Sequence, residues 1–268
     1  KIKLANLKST KSKKKKVSSK NNLRKNKSTF NENLKNSWEK IRPIKNDLKK
    51  GGYGSGFAIS EKGHFLTNYH VISDCKEVDI YYNRMLGTGK VLASNKKMDT
   101  AIVKVDAITP FYLKFDTEKY VVGEELYAAG YPFTTNLIPG SDFSPTLKKG
   151  MLINTKVINS NWLIVDIPVA SGNSGGPIIN KYGLLRGQVT IGVNVKKLIQ
   201  KNIGEKGIKE LFAENIVMNI IISSIKLKVW INNTNIAKIK TGKRNLKFES
   251  DEIGKIATKT VGLLECFK

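Results

Sequence analysis

Acidic side chains are scarce in this 268-residue chain: 22 Asp and Glu stand against 47 Lys and Arg, a net charge of +25. Residues 1–50 hold 18 of the basic and 3 of the acidic residues, so more than half of the excess sits in less than a fifth of the chain. A field of this sign draws in nucleic acid, anionic lipid heads or acidic proteins without specificity. Cysteine is limited to Cys75 and Cys266. Two cysteines in a chain of this length exclude a disulfide-framework fold; they form one bridge or stay as thiols. Long apolar runs are missing too. The densest stretch, Ile216 to Ile222, is strand-sized and interrupted by Asn219, so no segment reads as a membrane-spanning helix. Repeated helical patterns of about 10–15 residues between strands, which a parallel α/β fold requires, are also absent. No internal repeat is visible.

What is present falls into three textures. Residues 1–30 are rich in Lys, Ser and Asn, and the run Lys13-Lys14-Lys15-Lys16 repels itself. This stretch cannot bury enough surface to offset its ordering entropy, so residues 1–50 are read as a basic, largely disordered tail. Few aromatics interrupt it, so its expected contact is weak and charge-driven, with an anionic surface or nucleic acid. Within it, Trp38, Ile41 and Ile44 fit either a short amphipathic helix or an extended arm.

From Gly51 to about Ile222 short apolar runs alternate with Gly, Pro, Asn and Asp. Val78-Asp79-Ile80-Tyr81-Tyr82, Ala101-Ile102-Val103-Lys104-Val105 and Trp162-Leu163-Ile164-Val165 are examples. Many short strands with regular turn signals predict an all-β sandwich or barrel. Hydrophobic residues make up 40% of the chain, enough to fill its core. Then Ser223-Ser224, followed by Ile225, Leu227, Trp230 and Ile231, predicts a capped helix over 224–232. Residues 233–268 are polar, then weakly amphipathic, and form an extension with no assigned role.

The stretch Ser171-Gly172-Asn173-Ser174-Gly175-Gly176-Pro177 is where chemistry is expected. A nucleophilic serine needs a tight turn and backbone N–H groups aimed at the oxyanion that forms on attack. Flanking glycines reach conformations closed to other residues. Gly172, Asn173 and Ser174 form the expected oxyanion segment, with the Gly172 and Ser174 N–H groups as donors. The serine also needs a base, and the base an orienting acid. Only two histidines are available. His70 follows an apolar strand and suits the role, whereas His64 ends the turn Glu61-Lys62-Gly63 and is expected on the surface. Asp99 opens an alternating strand and is the best-placed acid. Ser174 as a plain turn residue, His70 as a satisfied core histidine and Asp99 as a strand-opening cap are the bland alternatives.

Four blocks together carry a resemblance. Gly54-Ser55-Gly56-Phe57-Ala58-Ile59, Leu66-Thr67-Asn68-Tyr69-His70-Val71, Asp99-Thr100-Ala101-Ile102-Val103-Lys104-Val105 and Gly172-Asn173-Ser174-Gly175-Gly176-Pro177 resemble the successive signature blocks of HtrA/Deg-type trypsin-like serine peptidases. They stand in that family's order. The resemblance covers about residues 51–232 and implies an all-β, chymotrypsin-like domain of two six-stranded antiparallel barrels. Barrel one would span about 51–117, barrel two about 118–222, with the helix at 224–232 closing the domain. It implies a serine endopeptidase with His70, Asp99 and Ser174 as catalytic triad, needing no metal or organic cofactor. Polypeptide substrates, unfolded or flexible, homo-oligomeric assembly and an extracytoplasmic location are implied with it, as is a role in protein quality control or regulated proteolysis. The competing expectation is a silent pseudoprotease recruited through the basic tail.

Four positions are expected to contact substrate. Pro168, six residues before the serine, falls at the base of the family's specificity pocket and lacks the charge that would favour Lys or Arg. Asn194, Val195 and Lys196 belong to and follow Ile191-Gly192-Val193-Asn194, which resembles the strand lining the family's cleft. Three departures stand out. The 36 residues after the helix are too few for a PDZ-like domain. Thr134 to Lys149 is expected to be a long polar loop. Residue 173 is Asn, so the ion pair that an Asp there makes with a new N-terminus in digestive relatives is not expected.

Overall fold

A computed structural model describes residues 50–83, 85–132, 144–155, 162–190 and 219–268. Of the basic tail expected over 1–50, residues 1–49 therefore lie outside the described residues, and Lys50 begins a strand. Among the described residues, twelve strands form two closed antiparallel barrels. Barrel one contains β1 (Lys50–Ala58), β2 (His64–Thr67), β3 (Glu77–Tyr82), β4 (Met85–Asn95), β5 (Thr100–Val105) and β12 (Val261–Phe267), in the order β1-β12-β3-β4-β5-β2. Barrel two contains β6 (Glu125–Gly130), β7 (Thr146–Asn154), β8 (Trp162–Val165), β9 (Pro177–Asn180), β10 (Leu185–Val189) and β11 (Asn219–Ser223), in the order β10-β11-β8-β7-β6-β9.

The strand sequences explain why two barrels form and why they adhere. Side chains alternate across a strand, so a strand apolar on both faces can fill a barrel with one face and a second layer with the other. In β5, Ala101 and Val103 fill barrel one with Phe65, Ile80 and Leu264, while Ile102 points the other way. In barrel two, Leu126, Ile178 and Ile221 face inward, and their neighbours Tyr127, Ile179 and Ile222 face out. The outward set joins Phe57, Leu66, Ile102 and Leu263 in a third core between the barrels.

Two expectations change here, and one left open is decided. The sixth strand of barrel one does not come from residues 51–117 but from the C-terminal stretch read as an extension. Strand β12 lies between β1 and β3, with Phe57 opposite Val261 and Tyr82 opposite Gly262. The chain reaches it after the helix α2 (Ser224–Thr234) by crossing the inter-barrel linker, where Phe115 N–H donates to Lys240 C=O at 2.8 Å. The helix α3 (Ser250–Thr260) follows; Glu249 and Glu252 form a capping box at its start, and Ile253 and Ala257 are buried. Second, Cys75 and Cys266 form a disulfide. Third, the end of the expected polar loop is strand: Thr146–Lys149 pair with Gly130–Tyr127 of β6, while residues 134–143 lie outside the described residues.

A buried ionic cluster ties the linker to both ends of barrel two. The Arg186 side chain is fully buried; it donates to Glu124 at 2.7 Å and to the Glu118 carbonyl at 2.8 Å, and its guanidinium lies 3.7 Å from the Tyr120 ring centroid. Arg244, from the C-terminal stretch, bridges Asp116 at 2.7 Å and Glu124 at 3.0 Å. Two carboxylates and two guanidiniums balance, as buried charges require.

Candidate active site

The short helix α1 (Tyr69–Ile72) begins directly after β2 and carries His70. Asp99 sits immediately before β5, which is paired with β2, so the two residues meet at one end of the same strand pair. His70 Nδ1 lies 2.9 Å from Asp99 Oδ2 and 3.0 Å from Oδ1, and the His70 backbone N–H donates to Oδ1 at 3.1 Å. A carboxylate only accepts, so Nδ1 carries the proton and Nε2 keeps its lone pair. The imidazole is 40% exposed and the Asp99 carboxylate only 11%. One partner is open to a reactant; the other is held inside.

Asp99 itself is in the left-handed region, with φ of 54°. Asp tolerates that conformation better than most residues. Two buried groups fix it there. Asn68 Nδ2 donates to the Asp99 carbonyl at 2.7 Å, and Thr190 Oγ1 donates to Asp99 Oδ2 at 2.6 Å. Asn68 stands at the N-cap of α1 but makes no side-chain cap bond; its amide serves Asp99 instead.

The Ser174 turn comes from barrel two and lies against this pair. Gly172 and Gly175 have φ of 95° and 85°, which explains the glycines around the serine. A Cβ on Gly175 would stand 2.6 Å from Thr67 Oγ1 and 2.9 Å from Asn68 N, the residues just ahead of α1. Gly54 separates Val71, next to His70, from the Ser174 carbonyl; a Cβ there would stand 2.6 Å from one and 3.0 Å from the other. Ser55 pins the turn to barrel one. Its N–H donates to Ser174 C=O at 2.8 Å, its hydroxyl donates to Gly172 C=O at 2.6 Å, and that hydroxyl accepts the Tyr131 N–H at 2.8 Å.

This arrangement sorts the oxyanion segment. The Asn173 N–H donates to Ala170 C=O at 3.0 Å, and the Gly175 and Gly176 N–H groups are bonded as well. The Asn173 N–H, in the middle of the expected oxyanion segment, is thus engaged, while the expected donors were the N–H groups on either side of it. Among the described residues, the N–H groups of Gly172 and Ser174 have no hydrogen-bond acceptor. The Asn173 side chain is buried, with Oδ1 unpartnered. Pro168 follows β8 and is exposed. Asn194, Val195 and Lys196 lie outside the described residues. His64 departs from expectation: it begins β2 and is only 7% exposed.

Sequence reasoning gave no role to Ser55, Asn68 or Thr190. Ser55 and Asn68 stood inside recognised blocks; Ser55, a hydroxyl between two strand glycines, had a visible signal. Thr190 had none, because only the fold brings it to Asp99. Among the described residues, no group of three or more His, Cys, Asp or Glu could hold a metal ion.

Two closed six-stranded antiparallel barrels, with a His–Asp pair on one and a glycine-flanked serine turn on the other, define the class of two-barrel proteins with the chymotrypsin-like fold. Comparison with known proteins agrees. The trypsin-like peptidase domain matches residues 54–187, half of the chain. A probable periplasmic serine endoprotease, DegP-like, of Rhizobium meliloti is 32% identical over 189 residues, covering 67% of this chain and 34% of that protein. An uncharacterized protein, y4bJ, of Sinorhizobium fredii is 33% identical over 141 residues, covering 51% of this chain and 21% of that protein. The crystal structure of a serine endoprotease from Yersinia pestis shares the fold, with a TM-score of 0.53 at 21% identity over 72% of this chain and 60% of that one. This chain belongs to the trypsin-like peptidase family. It spans about a fifth to a third of the length of these curated relatives.

Proposed function

We propose that this protein is a serine endopeptidase with His70, Asp99 and Ser174 as its catalytic triad. The observation that carries the reading is the His70–Asp99 pair, clamped on Asp99 by Asn68 and Thr190 and set against the Ser174 turn by Ser55. Ser174 Oγ attacks the peptide carbonyl while His70 Nε2 takes its proton. The Gly172 and Ser174 N–H groups receive the negative charge that develops on the carbonyl oxygen. His70 then gives the proton to the leaving amine as the C–N bond breaks, and water releases the acyl group by the same steps in reverse. Asp99 stays ionised throughout, holding the tautomer and stabilising the imidazolium.

Flexible or unfolded polypeptides are the proposed substrates, from the resemblance to serine endoproteases. Homo-oligomeric assembly is proposed from the family. An extracytoplasmic site of action is supported by the Cys75–Cys266 bridge, which persists in oxidising compartments, and by the word periplasmic in the names of several relatives. Among the described residues, no helix is long and apolar enough to cross a membrane.

The test is labelling by a fluorophosphonate probe, with casein degradation measured in parallel, on the wild type and on Ser174→Ala. Labelling and cleavage that both disappear in the variant support the reading. A folded wild type that neither labels nor cleaves, even with unfolded protein added, would replace it with the silent-binder alternative.

A further inference from the structure

His64 is the histidine that the mechanism does not use, and it sits in a cavity of its own. The cavity, about 380 Å³, lies between the β1–β2 turn and the stretch that follows α2. Lys62, His64, Tyr112, Lys238 and Lys240 line it, with Glu61 as the one carboxylate among the described lining residues. The Lys62 N–H donates to Ser60 Oγ at 3.2 Å, and Ser60 Oγ lies 2.7 Å from His64 Nδ1. The Ser60 hydroxyl thus ties the β1–β2 turn to the His64 imidazole through both bonds. Burial, then the fields of Lys104 and Lys62, hold its pKa below the usual imidazole value. The Lys240 ammonium stands 5.4 Å from the Tyr112 ring centroid, and contact with Tyr112 and the field of Glu61 raise its pKa. Three lysines and one carboxylate thus line a recess that also contains an imidazole.

We propose that this cavity is an anion-binding site for a phosphorylated small molecule, its phosphate held by Lys62, Lys238 and Lys240 and its body against Tyr112 and Ile236. The surplus of donors and positive charge calls for an oxyanion. The volume falls in the range of about 300–1,000 Å³ found for small-molecule sites, larger than a bare phosphate needs. The site stands apart from the proposed triad yet connects to it. Strand β2 starts at His64 and ends at Thr67, next to the Asn68 that holds Asp99. At about 3.3 Å per residue, roughly 13 Å of strand separates the two places.

The test uses the full chain carrying Ser174→Ala, which prevents self-digestion and makes the result independent of the peptidase reading. Adenosine monophosphate, inorganic phosphate and adenosine are titrated in turn while the ring-proton NMR signals of His64 and His70 are followed, the former assigned with His64→Gln. The expected result is a saturable shift of the His64 signal with adenosine monophosphate, and none with adenosine. Charge on the bound phosphate offsets the groups facing His64 (Lys62, Lys104, Lys238 and Lys240, against Glu61 and the phenol of Tyr112), so its pKa rises on binding. Lys238→Gln combined with Lys240→Gln should weaken binding at least tenfold. Binding that leaves the His64 signal unmoved, or that survives intact in the double variant, would place the anion on other lysines and overturn the proposal. Equal affinity for inorganic phosphate and the nucleotide would overturn the claim for a larger ligand.

Discussion

Replacing Cys75 and Cys266 by alanine cuts the covalent tie between β12 and the segment after the His70 helix. The bridge spans 191 residues, and constraining a loop that long in the unfolded chain stabilises the fold by about 5 kcal/mol on the chain-entropy model. Alanine at position 266, which is buried, adds a small packing loss, while residual structure in the unfolded chain reduces the entropic gain. A net loss of roughly 3–5 kcal/mol is expected. At about 2–4 °C per kcal/mol for a domain of this size, the melting temperature should fall by roughly 6–20 °C. Thermal unfolding of the wild type, with and without reductant, and of the double variant measures this directly. The reduced wild type should melt near the variant. A double variant that melts within about 2 °C of the oxidised wild type would refute the reasoning, since an intact barrel one would then owe nothing to the bridge.

Three further outcomes follow from the same structure. Arg186→Ala removes one of the two guanidiniums that hold Glu124 and Asp116, leaving Arg244 alone against two carboxylates, and should cost about 3–5 kcal/mol in denaturant unfolding; a loss below about 1 kcal/mol would mean the cluster is solvated. Thr190→Val keeps the side-chain shape but removes the 2.6 Å bond to Asp99; given the proposed triad, kcat/KM should fall about tenfold or more with little change in melting temperature, and unchanged kinetics would deny Thr190 a positioning role. His64 binds its proton less readily folded than unfolded, because burial and nearby lysines depress its native pKa. Its share of stability is therefore complete above the unfolded value of about 6.5 and is lost as pH falls toward the native value. His64→Gln should flatten the decline in melting temperature on the acid side of pH 6.5, and an unaltered slope would count against a buried neutral imidazole.

The barrels and the core of the site were legible because their signals are local. Thr100-Ala101-Ile102-Val103-Lys104-Val105 alternates, and the glycines around Ser174 announce a turn with positive φ. Strand β12 was not legible, since its partners Gly56 and Tyr82 lie about 180 to 206 residues away and nothing in Val261–Phe267 specifies them. The cysteine pairing was hidden for the same reason, as the register of β12 on β3 is what brings Cys266 beside the segment holding Cys75. His64 was misplaced by a single residue of register. Gly63, at φ of 79°, ends the turn, so the strand starts at His64 and the side chain turns inward. Asn68 and Thr190 act on Asp99 from different barrels, a relation that only the folded chain creates.

The position of β12 also sets an order of events during synthesis. Barrel one is the first to begin, yet it cannot close until the ribosome has delivered residues 261–267, after every strand of barrel two. Closure then depends on contacts of very long sequence separation, which form slowly. The His70–Asp99 pair sits on the late-closing half, and so does Ser55, which pins the Ser174 turn and itself lies opposite Leu263 of β12. A chain built this way has its proposed active centre completed only after nearly all of the two barrels has been translated.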